Sequence, residues 1–410
     1  MRQLTSIIIG AGQCGLAMSR HLSERSVDHM VLERGKVAQS WRSERWESLR
    51  LLTPNWMGAL PGAPYSGTDP DGYMDMPQVV EMFQDYARTI DAPVKTGVSV
   101  KRVGSWGEGY AVETNQGPFH CRNLVLATGA CNRPTVPAFA ADVPRGVRMF
   151  TPFDYKRPSD LPDGRVLVVG GSATGVQLAR ELQLSGRDVV LSVGEHVRAP
   201  RRYRGRDIKW WMHHTGLLDQ HIDEVDDVAR VRRTPSLQLA GLPQDVDLNA
   251  LQAIWVRIAG RLAAIRDGKA VFSGALANHS TMADLKQARL LALIDDRARM
   301  QGMDGGLPAP ERPAPTRLPA APMLELGLAN GTIGSIVWAT GFKPDHSWLD
   351  LPVFDRRGRL AHNGGVIRPG LYAMGLPFLR RRYSTLIGGA GGDAAALANH
   401  MMARLGRLAA

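Results

Sequence analysis

Twice in this 410-residue chain an apolar β run is followed at once by a glycine turn and a helical pattern. The first runs Ile7-Ile8-Ile9-Gly10-Ala11-Gly12-Gln13-Cys14-Gly15, and the second Val166-Leu167-Val168-Val169-Gly170-Gly171-Ser172-Ala173-Thr174-Gly175. A lone G-x-G-x-x-G is weak evidence. A strand before it and a helix after it supply the context in which such a turn receives a pyrophosphate on a helix N-terminus. Two such units predict an α/β protein with two Rossmann-like dinucleotide-binding domains and electron transfer between their nucleotides.

The first copy is complete. Gly10 permits the tight turn, Gly12 lets the backbone approach a pyrophosphate, and Gly15 brings the helix close to the strand. Glu33, 18 residues past Gly15, ends the next apolar run, His29 to Leu32. A carboxylate there accepts hydrogen bonds from a ribose diol and repels a 2′-phosphate, which suits FAD or NAD rather than NADP. The second copy has Ser172 for the middle glycine, and its next strand ends in Ser192-Val193-Gly194 with no carboxylate. Arg198, Arg201, Arg202, Arg204 and Arg206 follow. Guanidinium forks bind phosphate bidentately, so this site is expected to take NADPH, the alternative being a solvated arginine loop.

Of the 50 basic residues, 42 are Arg and 8 are Lys, spread over the whole length, so the +11 charge marks no nucleic-acid stripe. Its expected role is limited to steering anionic cofactors or substrates. The length and the 44% hydrophobic content suit two or three domains with ordinary cores. Cys14, Cys121 and Cys131 form no C-x-x-C, which excludes the usual dithiol relay and points to a reducing cytoplasm. No run approaches the roughly 18 apolar residues of a membrane helix, and no cleavage region follows the N-terminal apolar stretch. The expectation is a soluble cytoplasmic protein without membrane insertion or a metal site, its oligomeric state left open.

Residues 1–156 read as the first part of the first nucleotide domain, 163–342 as an inserted second nucleotide domain, and 345–410 as the return to the first, which the resemblance described next makes a discontinuous FAD domain with an NADPH domain inserted. Helices are expected at 16–24, 76–90, near 283–300 and at 393–405, and strands near 94–103, 109–114 and 119–127. The stretch of about 195–330, with its Pro-rich connector from Leu307 to Pro322, is expected to be a surface excursion.

Three segments then carry a family resemblance. Ala127-Thr128-Gly129 followed by Pro134 and Pro137 resembles the A-T-G-x-x-x-x-P-x-x-P element of class B flavin monooxygenases, the flavin-containing, Baeyer–Villiger and YUCCA-type enzymes. Trp46 to Pro61 is similar to a YUCCA-type region, and Ala339-Thr340-Gly341-Phe342-Lys343-Pro344-Asp345 to the closing element. The resemblance spans nearly the whole chain. It implies that NADPH reduces FAD, that reduced FAD captures O₂ as a C4a-(hydro)peroxide, and that this oxygenates a small organic substrate. The candidate cofactor-binding residues are Gly10, Gly12, Gln13, Cys14, Gly15, Glu33, Arg34, Trp41, Arg42, Thr128 and Gly129, then Gly170, Ser172, Ala173, Thr174, Gly175, Arg198, Arg201, Thr340 and Gly341. An NADPH-dependent flavin reductase or oxidase producing H₂O₂ is the alternative, and a nucleotide-binding redox-sensing flavoprotein a third reading.

Such chemistry needs no nucleophile triad or paired acid, and none is evident. Asn55 is a candidate polar group near the flavin, with a turn role after Pro54 equally open. His213 and His214, near Trp210 and Trp211, line a substrate cleft or simply pack on a helix. In the family's inter-domain fingerprint F-x-G-x-x-x-H-x-x-x-Y/F, Thr151 stands where the histidine belongs if Tyr155 anchors the match. That departure places full coupling to oxygenation in question and makes Thr151 a second candidate.

Overall fold

The computed structural model describes residues 3–329 and 331–409; of the expected domain ranges, residues 1, 2, 330 and 410 lie outside the described residues. The two apolar runs become the central strands of two sheets, each with a parallel core. In the first sheet the neighbours, in order, are Val366–Arg368, Leu371–Ala373, Gly117–Leu126, Gln3–Ile9, His29–Leu32 and Val94–Lys95, with Val100–Trp106 and Gly109–Thr114 branching from Gly117–Leu126. Ile7, Ile8, Leu124 and Val125 are fully buried. Burial on both faces is what an unbroken apolar run signifies in a parallel sheet.

The C-terminal residues complete this sheet. Leu371 pairs in parallel with Leu124, and helix Ala390–Ala409 packs Ala394, Leu397, Ala398 and Met401 into the same core as Ala17, Met18 and Leu22 of helix Gln13–Ser23. Helix Met76–Thr89 starts where Asp75 accepts from the Gln78 N–H at 3.0 Å and the Gln78 side chain accepts from the Asp75 N–H at 3.0 Å. This reciprocal pair satisfies two donors that a helix start otherwise leaves unpaired.

The second sheet has the order Arg257–Ala259, Val189–Ser192, Arg165–Val169, Ile333–Trp338, Arg148–Phe150, all parallel. Two expectations are corrected here. Arg148–Phe150 lies within the range 1–156 assigned to the first domain, yet it pairs with Ile333–Trp338, so the crossover precedes it. The stretch 195–330 is not merely a surface excursion. It contributes strand Arg257–Ala259, and Leu248, Leu251, Val256 and Ile258 are buried in the same core as Val166 and Val168. A three-residue strand bears too little periodicity to be seen in sequence. The Pro-rich connector does stay irregular over residues 307–322, after helix Leu276–Met300.

The chain crosses between the sheets twice, and the crossings pair. Arg133–Pro134 and Phe342–Lys343 form an antiparallel ribbon, with Phe342 opposite Pro134 and Lys343 opposite Arg133. Asp345 accepts from the Arg133 guanidinium at 2.7 Å, and its N–H donates to Asn132 Oδ1 at 3.0 Å. Both motif segments that begin with Ala-Thr-Gly therefore supply one double connector.

Candidate functional site

In each parallel sheet the strand that ends in a glycine turn has its successor on one side and a later strand on the other. His29–Leu32 and Gly117–Leu126 flank Gln3–Ile9, just as Val189–Ser192 and Ile333–Trp338 flank Arg165–Val169. Such switch points open a crevice beyond the C-terminal strand ends, where α/β folds hold ligands. Gly10 to Gly15 and Ala127 to Gly129 border the first crevice. Gly170 to Gly175 and Ala339 to Gly341 border the second.

The two turns match residue for residue. Gly10 has φ +107° and Gly170 φ +120°. A Cβ at either would lie 2.6 Å from Ala127 O or 2.3 Å from Ala339 O, so only glycine fits. A Cβ at Gly15 would meet Gly10 O at 1.9 Å, and one at Gly175 would meet Gly170 O at 1.7 Å. These contacts bring helix and strand together. Gly12 and Ser172 are the equivalent helix N-caps, at φ −92°, ψ −169° and φ −88°, ψ −173°. A Cβ at Gly12 would meet no protein atom within 4 Å. That position faces open space, which is the cradle a pyrophosphate requires, and the Ser172 hydroxyl makes no capping bond that would divert it from a phosphate oxygen.

Around the first turn, Glu33 is buried and accepts from Ala11 N–H at 2.8 Å through Oε2 and from Gly35 N–H at 3.0 Å through Oε1. The carboxylate is thus fixed at the rim of the turn, with lone pairs left for a diol. Trp41 Nε1 donates to Gln13 Oε1 at 3.3 Å, placing the indole beside the turn. Arg34 forms an ion pair with Glu44, and Arg42 is exposed. Cys14 is buried, and burial, with Asp393 nearby, pushes its thiol up to about 12, so it is held as a neutral thiol. All three cysteines are free and Cys121 is also buried.

The structure overturns the assignment of Arg198 and Arg201 to a 2′-phosphate. Both are almost fully buried and already neutralised. Arg198 pairs with Asp247 at 2.6 Å and Asp284 at 2.8 Å and donates to Ala314 O at 2.8 Å. Arg201 pairs with Asp207, donates to Leu52 O at 2.9 Å and lies over the Tyr73 ring at 4.4 Å. Arg204 pairs with Asp295 and Asp304 and donates to Pro308 O at 2.9 Å. This cluster pins the Pro-rich strap to the second domain and the second domain to the first. The carboxylates lie up to a hundred positions away in sequence, so residue spacing alone gave no sign of them. Arg202 and Arg206 remain exposed.

Asn55 and Thr151 likewise have local work. Asn55 donates to Asp69 O at 2.8 Å and accepts from Met74 N–H at 2.7 Å, tying down a loop, which removes it as a catalytic candidate. Thr151 donates through its hydroxyl to Asp154 Oδ2 at 2.7 Å. Thr340 donates to Thr135 O within the connector. His213 and His214 stand on helix Ile208–His214 against Trp56, with ring centroids 5.2 and 5.7 Å away, and His213 also faces Tyr383 at 5.8 Å. They belong to an aromatic contact between the 195–330 stretch and the first domain.

Several participants were missed in sequence. Gln238 is fully buried and donates to Gly171 O at 2.7 Å, stiffening the second turn from 67 residues away. Tyr73 and Asp207, bonded at 2.8 Å, join the domains. Asn132, Arg133 and Asp345 lie inside the resembling segments, and that location was an available signal. Among the described residues no group of three or more His, Cys, Asp or Glu is placed to hold a metal, and no helix is long and apolar enough to cross a membrane.

Comparison with known proteins agrees with this geometry. The family described as pyridine nucleotide-disulphide oxidoreductase matches residues 7–215, just over half of the chain. A Geobacillus kaustophilus protein named an uncharacterized oxidoreductase CzcO-like is 30% identical over 400 residues, 97% of each chain. The Arabidopsis thaliana indole-3-pyruvate monooxygenase YUCCA6 is 32% identical over 210 residues, 48% of this chain and 50% of that one. A flavin-containing monooxygenase from Stenotrophomonas maltophilia shares the fold with a TM-score of 0.68 at 17% identity, covering 98% of this chain and 99% of that chain. The chain is an oxidoreductase and belongs to the pyridine nucleotide-disulphide oxidoreductase family.

Proposed function

We propose that the protein is an FAD- and NADPH-dependent monooxygenase acting on a small organic molecule with O₂. The carrying observation is the pair of matching switch points, one with a buried ribose-binding carboxylate and one without, joined by a paired connector. The first turn suits a resident FAD: Gly12 leaves pyrophosphate space and Glu33 waits for the adenosine ribose. The second suits an exchangeable nucleotide, with Ser172 and the N-terminus of helix Ala173–Leu184 facing its phosphates. Bound FAD would supply the redox chemistry, accepting hydride from NADPH and passing electrons to O₂. The residues' own task is to hold the two nucleotides against each other and exclude water. Its relative YUCCA6, by name a monooxygenase, supports the oxygenating assignment.

A second reading, an NADPH-dependent flavin reductase or oxidase releasing H₂O₂, draws on Thr151. Its hydroxyl is committed to Asp154, at the position where the family fingerprint has an imidazole. A substrate panel under ¹⁸O₂, read by product mass spectrometry alongside NADPH consumption, separates these. A labelled product in near one-to-one yield with NADPH supports the monooxygenase; peroxide in its place supports the oxidase. Negligible turnover with any nucleotide supports a sensor.

A further inference from the structure

We propose that Arg261 is the residue that reads the 2′-phosphate of the nicotinamide dinucleotide, in place of the arginines that sequence suggested. The inference rests on the second turn being a dinucleotide site and adds to it a specificity determinant on a different strand.

The two strand-end positions are equivalent. Ile9 pairs with Leu32 and Val169 with Ser192, and Gly10 N–H bonds Leu32 O at 2.8 Å as Gly170 N–H bonds Ser192 O at 2.9 Å. The next residues, Glu33 and Val193, therefore occupy the same place. Glu33 N–H donates to Lys95 O and Val193 N–H to Ala259 O, on the neighbouring strand in each case. Where the first unit presents an acid to a ribose, the second presents a buried valine and then Gly194.

What fills the space beside Gly194 is Arg261. The three atoms nearest to a Cβ built on Gly194 are Arg261 Cγ, Cβ and Cδ, at 3.4, 3.5 and 3.5 Å. A longer side chain at 194 would displace this arginine stem. Three hydrogen bonds, with Ser192 and Ser273, anchor the backbone presenting it. Ser192, 1% exposed, donates through its hydroxyl to Gly260 O at 3.0 Å and accepts from Leu262 N–H at 2.9 Å, and Arg261 O accepts from Ser273 N–H at 2.8 Å. A serine at the strand end thus holds the residues on either side of Arg261.

Charge sets this arginine apart. Arg198, Arg201 and Arg204 are buried against carboxylates, and Arg257 on the same strand edge pairs with Asp188 at 3.1 Å. Glu195, the carboxylate next to Gly194, is held by Lys286 Nζ at 2.8 Å. Arg261 is exposed, and among the described residues its guanidinium has no hydrogen bond, ion pair or ring contact. An unneutralised guanidinium fork on an anchored backbone, its stem beside Gly194, is suited to receive a phosphate monoester.

The test compares NADP⁺ and NAD⁺ binding to the oxidised, FAD-loaded protein by calorimetry, with no turnover involved. Arg261→Ala should weaken NADP⁺ about ten- to a hundredfold and leave NAD⁺, flavin content and melting temperature unchanged. Arg261→Lys should retain part of the preference, and raised salt should erode the wild-type preference but not that of Arg261→Ala. Arg202→Ala and Arg206→Ala should leave the NADP⁺ to NAD⁺ ratio unchanged. An unaltered ratio in Arg261→Ala, or a wild type that prefers NAD⁺, overturns the inference while leaving the second turn a dinucleotide site. A wild type that binds neither nucleotide overturns both.

Discussion

The turn at Gly10 to Gly15 and the turn at Gly170 to Gly175 are one piece of backbone built twice. Their glycines make the same carbonyl contacts, their helix caps share dihedrals within a few degrees, and each faces an Ala-Thr-Gly strand end. They differ where a ligand would be read: Gly12 against Ser172, Glu33 against Val193, Arg34 against Gly194. The lesson is a division of labour. Glycines whose added Cβ would lie under 3 Å from a backbone carbonyl oxygen set the fold, and two or three side chains at the strand ends set which nucleotide it accepts.

The largest effect is expected from filling the helix–strand contact. Gly15→Ala places a methyl 1.9 Å from Gly10 O, and overpacking backbone against backbone should cost at least about 3 kcal/mol, with loss of FAD. Gly175→Ala makes the same clash in the other unit. It should leave a yellow protein that NADPH no longer reduces. Thermal denaturation with flavin absorbance reads both, and identical losses in the two variants would break the assignment of different ligands.

Next comes Gly12→Val, whose side chain enters open space in the protein alone. The apo protein should melt as the wild type does, while FAD affinity falls about ten- to a hundredfold. A matched fall in apo stability would mean that Gly12 serves packing and not a ligand. Ser172→Gly should leave flavin content untouched.

Smaller still is the exchange of ribose readers. Glu33→Gln should weaken FAD about tenfold, since a charge-assisted acceptor becomes a neutral one. Val193→Glu should shift the second site toward NADH by about the same factor. Competition binding with the two nicotinamide cofactors measures it, and no shift would deny that Val193 and Glu33 are equivalent.

The smallest effect separates the strand ends from the strand starts. His29, at the start of strand His29–Leu32, is buried; its Nδ1–H donates to Val27 O at 2.9 Å and its Nε2 accepts from Ser19 Oγ at 2.8 Å. Burial holds this imidazole below its ordinary range. The unfolded chain takes up a proton near the ordinary value of about 6.5 and the folded chain only at lower pH, so this contribution is complete above that value and is lost as pH falls below it. His29→Gln should flatten the decline in melting temperature between neutral and mildly acidic pH without altering nucleotide preference. A steeper decline would contradict the neutral assignment.

Legibility in sequence followed the same division. Ile7 to Gly15 and Val166 to Gly175 announced both central strands, both turns and both helices, because apolar runs and obligatory glycines are local facts. The place of Glu33 just past the end of the second strand was legible for the same reason. Arg198 and Arg201 misled because a run of arginines shows charge but not its partners, and Asp207, Asp247 and Asp284 are brought to them only by folding. Arg148–Phe150 and Arg257–Ala259 were invisible as second-sheet strands because three residues cannot display an alternation. Asn55 had two readings, and only the loop from Asp69 to Met74 decides between them.

The most direct test of the central claim, one resident flavin site and one exchangeable nicotinamide site on a single chain, is an anaerobic NADPH titration of the purified protein followed by flavin absorbance. The expected result is a yellow protein carrying about one FAD per chain that bleaches with about one equivalent of NADPH and recolours on admitting O₂. A protein that stays colourless after incubation with FAD, or one whose flavin is untouched by excess NADPH and NADH, would contradict it.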